Sequence, residues 1–118
     1  MKNALLDYSK NFAIKIDILC DNLSVNKGLS NTLFQLKKSS SSIFANISEA
    51  QYPQSLPDML SKFKIARKEC VESESWLTLL FERNHIQEKE FKELRNLAGR
   101  IKRLLISSCI TIENKLPQ

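Results

Sequence analysis

Four polar side chains, Asn46, Glu49, Glu72 and Glu74, have residue types and spacings that could do chemistry in this 118-residue chain. Paired carboxylates can pass protons to and from a substrate, or hold a divalent cation through oxygen. The structural use of the same residues is the expected one. Asn46 and an acid would satisfy each other across two helices and fix their register. His85 is the single histidine and falls between periodic segments, with no Cys or His at ligand spacing, so a zinc site is not expected. Some helical bundles cleave RNA with an arginine placed a few residues before a histidine. The positions four to seven before His85 are Phe81, Leu80, Leu79 and Thr78, and Arg83 is too near to fit. Gly28 and Gly99 stand alone, so no glycine loop cradles a phosphate. The run Ser39-Ser40-Ser41-Ser42 has no neighbouring base or glycine elbow to activate a hydroxyl. Cys20, Cys70 and Cys109 are odd in number, far apart and set in apolar stretches, which suits small buried hydrophobes in a reducing cytoplasm. No enzyme activity, metal or cofactor is expected.

Basic residues gather unevenly. The formal net charge is +5. Lys62, Lys64, Arg67 and Lys68 follow one another with no intervening acid, as do Arg95, Arg100, Lys102 and Arg103. Such runs are commonly solvated helix faces. In a symmetric oligomer each patch would repeat, and weak contacts with phosphates would add up. Binding of that kind would carry little sequence preference.

These residues need elements to position them, and the apolar period supplies four. Leu5, Tyr8, Phe12, Ile16, Leu19 and Leu23 recur at three and four over residues 3–23, one face of a helix. Leu29, Leu33, Leu36, Ser40, Ile43, Ile47 and Ala50 do the same over 29–50. The period runs in phase through the serine run, so that run is read as helix, with small side chains that let a neighbour approach. Gly28 is placed to take left-handed backbone angles before this segment. Pro53 and Pro57 end it. Ser55 and Asp58 have the spacing of a capping box, and Pro57 falls in a first helical turn. Leu60, Phe63, Ala66, Cys70, Ser73, Leu77 and Leu80 mark a third helix over 57–82. Phe91, Leu94, Leu97, Ala98, Ile101, Leu104, Leu105, Ser108 and Ile112 mark a fourth, from residue 87 almost to 117. With only 2 Gly and 3 Pro, the chain lacks the turn residues of a β protein. The expected fold is all-α, an up-down-up-down antiparallel four-helix bundle forming a single domain over 1–118. An acid in the first apolar turn interrupts any signal-peptide core, and no apolar run is long enough to span a membrane.

Phe34, Phe44, Ile106 and Ile110 lie off the main seams, and Val71, Trp76 and Phe81 give the third helix a second apolar edge. A bundle of this size does not bury all of these alone, so a homo-oligomer is expected.

The stretch Gln35-Leu36-Lys37-Lys38-Ser39-Ser40-Ser41-Ser42-Ile43-Phe44-Ala45-Asn46-Ile47-Ser48-Glu49-Ala50 resembles the signature of four-helix bundle proteins linked to intervening sequences of 23S ribosomal RNA. That family runs from Gln-Leu and two basic residues through small residues to Asn-Ile-Ala-Glu-Gly. The likeness continues through Phe63, Ile65-Ala66, Glu72 and Glu74, and through residues 86–91. Ala50 stands where the family has glycine, and Phe44 where it often has proline. The resemblance implies an up-down bundle assembled as a homopentameric ring. Accessory proteins of diversity-generating retroelements are similar in fold, and there a basic pentamer contacts nucleic acid and enzyme. The leading expectation is therefore a non-enzymatic oligomeric adaptor for structured RNA or DNA, beside a protein partner. The alternative is a protein-binding or purely structural assembly.

Overall fold

A computed structural model describes residues 3–117, and Met1, Lys2 and Gln118 of the expected single domain lie outside the described residues. Helix α1 (Ala4–Leu23) is followed by a 3₁₀ turn (Lys27–Leu29), then α2 (Ser30–Ala50), α3 (Leu56–Glu82) and α4 (Glu88–Lys115). Side chains close the helix starts. Asn3 caps α1 by accepting from the Leu6 amide at 3.1 Å, and its own amide donates to Gln51 Oε1 at 2.7 Å, tying the start of α1 to the end of α2. Ser55 caps α3 through the Asp58 amide at 3.1 Å. The Asp58 carboxylate accepts from the Gln54 amide, one residue before the position a standard capping box would use. Pro57 occupies the first turn, where an amide would have no carbonyl to bond.

Gly28 does not take the left-handed angles expected of it. It lies inside the 3₁₀ turn, where its amide donates to Asn26 Oδ1, and no described glycine has positive φ. The left-handed residue is Asn84, φ 63°, at the end of α3. There the His85 amide reaches back to the Leu80 carbonyl and the Arg83 amide to the Leu79 carbonyl, the bonding of a helix end reversed by one left-handed residue.

The serine run is helical throughout. Ser39, Ser40 and Ser41 each donate to the carbonyl three residues earlier, at 3.1–3.2 Å, which satisfies their hydroxyls without breaking the ladder. Ser39 and Ser73 also share a hydrogen bond of 2.8 Å in the interior, where α2 and α3 meet.

Pairs between neighbouring helices fix the topology. Asn3 meets Gln51 and Asp17 meets Lys37, Ser39 meets Ser73 and Glu49 meets Lys62, Glu74 meets Lys102 and Phe81 meets Phe91, and Tyr8 meets Arg100 and Lys15 meets Glu93, so residue numbers rise on one helix as they fall on the next. Each helix packs on its sequence neighbours and α1 closes against α4. The result is an up-down-up-down antiparallel four-helix bundle, 50 × 28 × 22 Å. Its core is one cluster built from the predicted stripes, with Phe12, Ile16, Leu36, Ile43, Ile47, Leu77, Ile101 and Leu105 at its centre. Trp76, Phe81 and Leu97 pack on its margin, and the Phe81 and Phe91 rings stack with centroids 4.3 Å apart. Phe34 (62% exposed) and Ile110 (54%) face outward, as do Ile106 and Val71.

Candidate nucleic-acid interface

Asn46, Glu49, Glu72 and Glu74 do not meet in one cluster. The Asn46 amide donates to the Ser42 carbonyl and hydroxyl one turn earlier on its own helix, rather than to an acid of α3. Glu49 is exposed and pairs with Lys62 at 3.7 Å. Glu72 accepts from the Trp76 indole at 3.3 Å, and Glu74 accepts from Lys102 at 2.8 Å. Residues two apart on a helix do not share a face. Buried Ser73, which meets Ser39 of α2, therefore stands between Glu72 and Glu74, and it is Glu74 that reaches α4. Glu72 has instead a neighbour that the sequence reading passed over. The Glu69 carboxyl lies above the usual glutamate range, chiefly through partial burial and then through the Glu72 charge and hydrogen bond, with Lys38 and Lys68 opposing.

The eight cations of the sequence reading sort into three environments. Lys62 and Lys102 are held in ion pairs with acids of neighbouring helices. The Arg95 guanidinium stands 5.1 Å over the Phe91 ring and that of Arg100 5.2 Å over Tyr8, where Arg100 also reaches the Tyr8 hydroxyl at 3.5 Å. Lys64, Arg67, Lys68 and Arg103 take part in no ion pair among the described residues. Nor do the cations of α3 and α4 form one surface. Lys64 and Lys68 border a shallow, largely apolar hollow with Pro57, Leu60, Ser61 and Ile65. Arg100 and Arg103 line a separate groove between α1 and α4.

That groove, about 440 Å³, is completed by Asn11, Lys15, Glu93, Asn96 and Leu97. Lys15 bonds Glu93 at 3.2 Å on one side, so three cations share one carboxylate. Two asparagine amides add donors between them. Sequence reasoning missed Asn11, Lys15 and Asn96. The available signal was the four-residue spacing of Asn11 with Lys15 and of Asn96 with Arg100, which becomes meaningful once α1 is known to close on α4.

The thiols lie away from this groove. Burial pushes Cys20 up to about 11 and Cys70 up to about 12, and Cys109 is also buried. Among the described residues no group of three or more His, Cys, Asp or Glu could hold a metal ion, and no helix is long and apolar enough to cross a membrane.

Comparison with known proteins agrees with this architecture. No curated protein matches the chain. A crystal structure from Bacteroides thetaiotaomicron, described as a protein with unknown function from the S23 ribosomal protein family, is similar at 35% sequence identity and a TM-score of 0.85. The similarity covers 89% of this chain and 97% of that one. Residues 2–107 match the family described as "23S rRNA-intervening sequence protein", a description that names no reaction. The bundle, its signature in α2 and this match over most of the chain place the protein in the 23S rRNA-intervening sequence protein family.

Proposed function

We propose that the protein is a non-enzymatic homo-oligomer, a pentamer by preference, that acts in the cytoplasm and binds structured RNA or DNA by its phosphate backbone. The observation that carries this reading is the α1–α4 groove, where Lys15, Arg100 and Arg103 stand with Asn11 and Asn96 against the single carboxylate of Glu93. Arginine forks and amide donors suit phosphate oxygens, and their display along two helices follows a backbone rather than base edges. An oligomer repeats the groove once per subunit, which turns weak contacts into avidity. The family's description, with its reference to ribosomal RNA, supports RNA as the first ligand to try.

Fluorescence anisotropy with labelled single- and double-stranded RNA and DNA, across a salt series, tests the proposal. Binding with little sequence preference and a steep fall with salt is expected, because each neutralised phosphate releases counterions. Absence of binding at low salt would overturn it. The second reading, a protein-binding or purely structural assembly, would then stand, supported by the outward-facing Phe34 and Ile110.

A further inference from the structure

At the end of the bundle where α2 begins and α3 ends, the two turns leave a recess of about 380 Å³. Arg83 and His85 enter it from the α3–α4 turn, and Asn26 and Thr32 from the opposite side. Leu29 and Leu79 supply apolar wall. We infer that this recess is a binding site for a phosphomonoester, separate from the α1–α4 groove.

Three observations carry the inference. First, the donors are uncommitted. Arg83 takes part in no ion pair among the described residues, and its side chain, like those of His85 and Thr32, makes no hydrogen bond there. The Asn26 carbonyl oxygen is used by the Gly28 amide, which leaves its NH₂ group to donate. Second, no lining residue is acidic, so the recess offers the Arg83 cation and several polar donors without an internal counter-charge. Third, the backbone is fixed. The left-handed Asn84 and the Arg83, Asn84 and His85 amides, bonded back to Leu79, Phe81 and Leu80, hold Arg83 and His85 two residues apart on one rigid turn.

A guanidinium fork, an imidazole, a hydroxyl and an amide together match a tetrahedral group with several acceptor oxygens. The carboxylates nearest in sequence, Glu82 and Glu88, are exposed and do not line the recess. A phosphomonoester reaches such a site either as a small molecule or as the phosphorylated end of a nucleic acid. The recess does not depend on the groove of the proposed function, since the two share no residue.

Because His85 is the only histidine, its ring signals in the NMR spectrum of tag-free protein report on the recess alone. Titration with inorganic phosphate and with adenosine 5′-monophosphate at constant pH and ionic strength should move them saturably. Arg83→Gln should weaken the binding about tenfold or more, as loss of a charge-assisted pair requires. Thr32→Val should weaken it less, and Arg100→Gln, in the groove, should leave it unchanged. Short RNA carrying a 5′-phosphate, compared with the same RNA carrying a 5′-hydroxyl, separates the sources. A phosphate-dependent shift of His85 assigns the nucleic-acid end, and a shift with the mononucleotide alone assigns a small molecule. No saturable shift with any phosphate probe, or a shift equal in wild type and Arg83→Gln, overturns the site.

Discussion

Glu69 shows how far a single side chain departs from what its place in the sequence suggests. Its carboxyl is raised by partial burial and by Glu72, so the folded chain holds that proton more tightly than the unfolded chain does. The folded state then binds more protons across the window between the two values, and stability falls as pH rises through it. Glu69→Gln should therefore raise the melting temperature at pH 7, with the gain vanishing below the ordinary glutamate range. Thermal melts at pH 7 and pH 4 check this, and a variant less stable than wild type at pH 7 would contradict it. At the same scale, Cys20 and Cys70, raised to about 11 and about 12 by burial, should not react with a disulfide reagent in the native protein at pH 8, and should react once it unfolds. What the sequence could not show here was partner choice. Glu49 and Lys62 are thirteen positions apart, Glu74 and Lys102 twenty-eight, and each pair exists because two helices run antiparallel at one register. A basic run free of acids in sequence is thus partly neutralised in space. Asn46, read as a link between helices, finds its partner four residues back.

Among the elements, α2 and α3 carry the clearest signal and the clearest test. Apolar period located all four helices, because burial of one stripe decides helix placement, and the prolines with the Ser55 cap marked where α2 stops and α3 starts. It also carried the serine run into α2 against serine's weak helix propensity. The reason is now visible: Ser39 and Ser40 are buried, and Ser39 meets Ser73 at 2.8 Å where larger side chains would hold the helices apart. Ser39→Ala leaves the buried Ser73 hydroxyl without its partner, at a cost of about 1–3 kcal/mol, whereas Ser73→Ala leaves Ser39 bonded to the Leu36 carbonyl and should cost about 1 kcal/mol. Ser39→Ala/Ser73→Ala should cost less than the two single changes added. Denaturant unfolding of the four proteins measures this coupling, and strict additivity would show that the bond does not join the helices. The backbone conformation of the turns was less legible. Gly28 looked like the residue for a left-handed turn, yet Asn84 is the one that adopts it, since an asparagine tolerates that conformation and the bonds at the end of α3 require it. Removing the α3 cap with Ser55→Ala should lower stability by about 1 kcal/mol in the same assay.

For the whole molecule, the outward apolar side chains and the distribution of charge bear on assembly and ligand. Phe34, Val71, Ile106 and Ile110 lie outside the core, and an oligomer would cover such faces. Light scattering in moderate salt should return a mass near five times the 13.6 kDa chain. A monomer at micromolar concentration would contradict assembly, and a dimer would contradict the ring. Binding of phosphate backbone in the α1–α4 groove is tested by reversing charge there and reading the salt dependence of binding. Arg100→Glu/Arg103→Glu, checked for an unchanged helical spectrum, is compared with wild type and with Lys64→Glu/Lys68→Glu on the outer surface of α3. Weaker binding across all probe sequences is expected for the groove variant, with the log–log salt slope smaller by about 1.5 for two lost phosphate contacts, and a much smaller change for the α3 variant. Affinity and slope intact after reversal of Arg100 and Arg103 would contradict it.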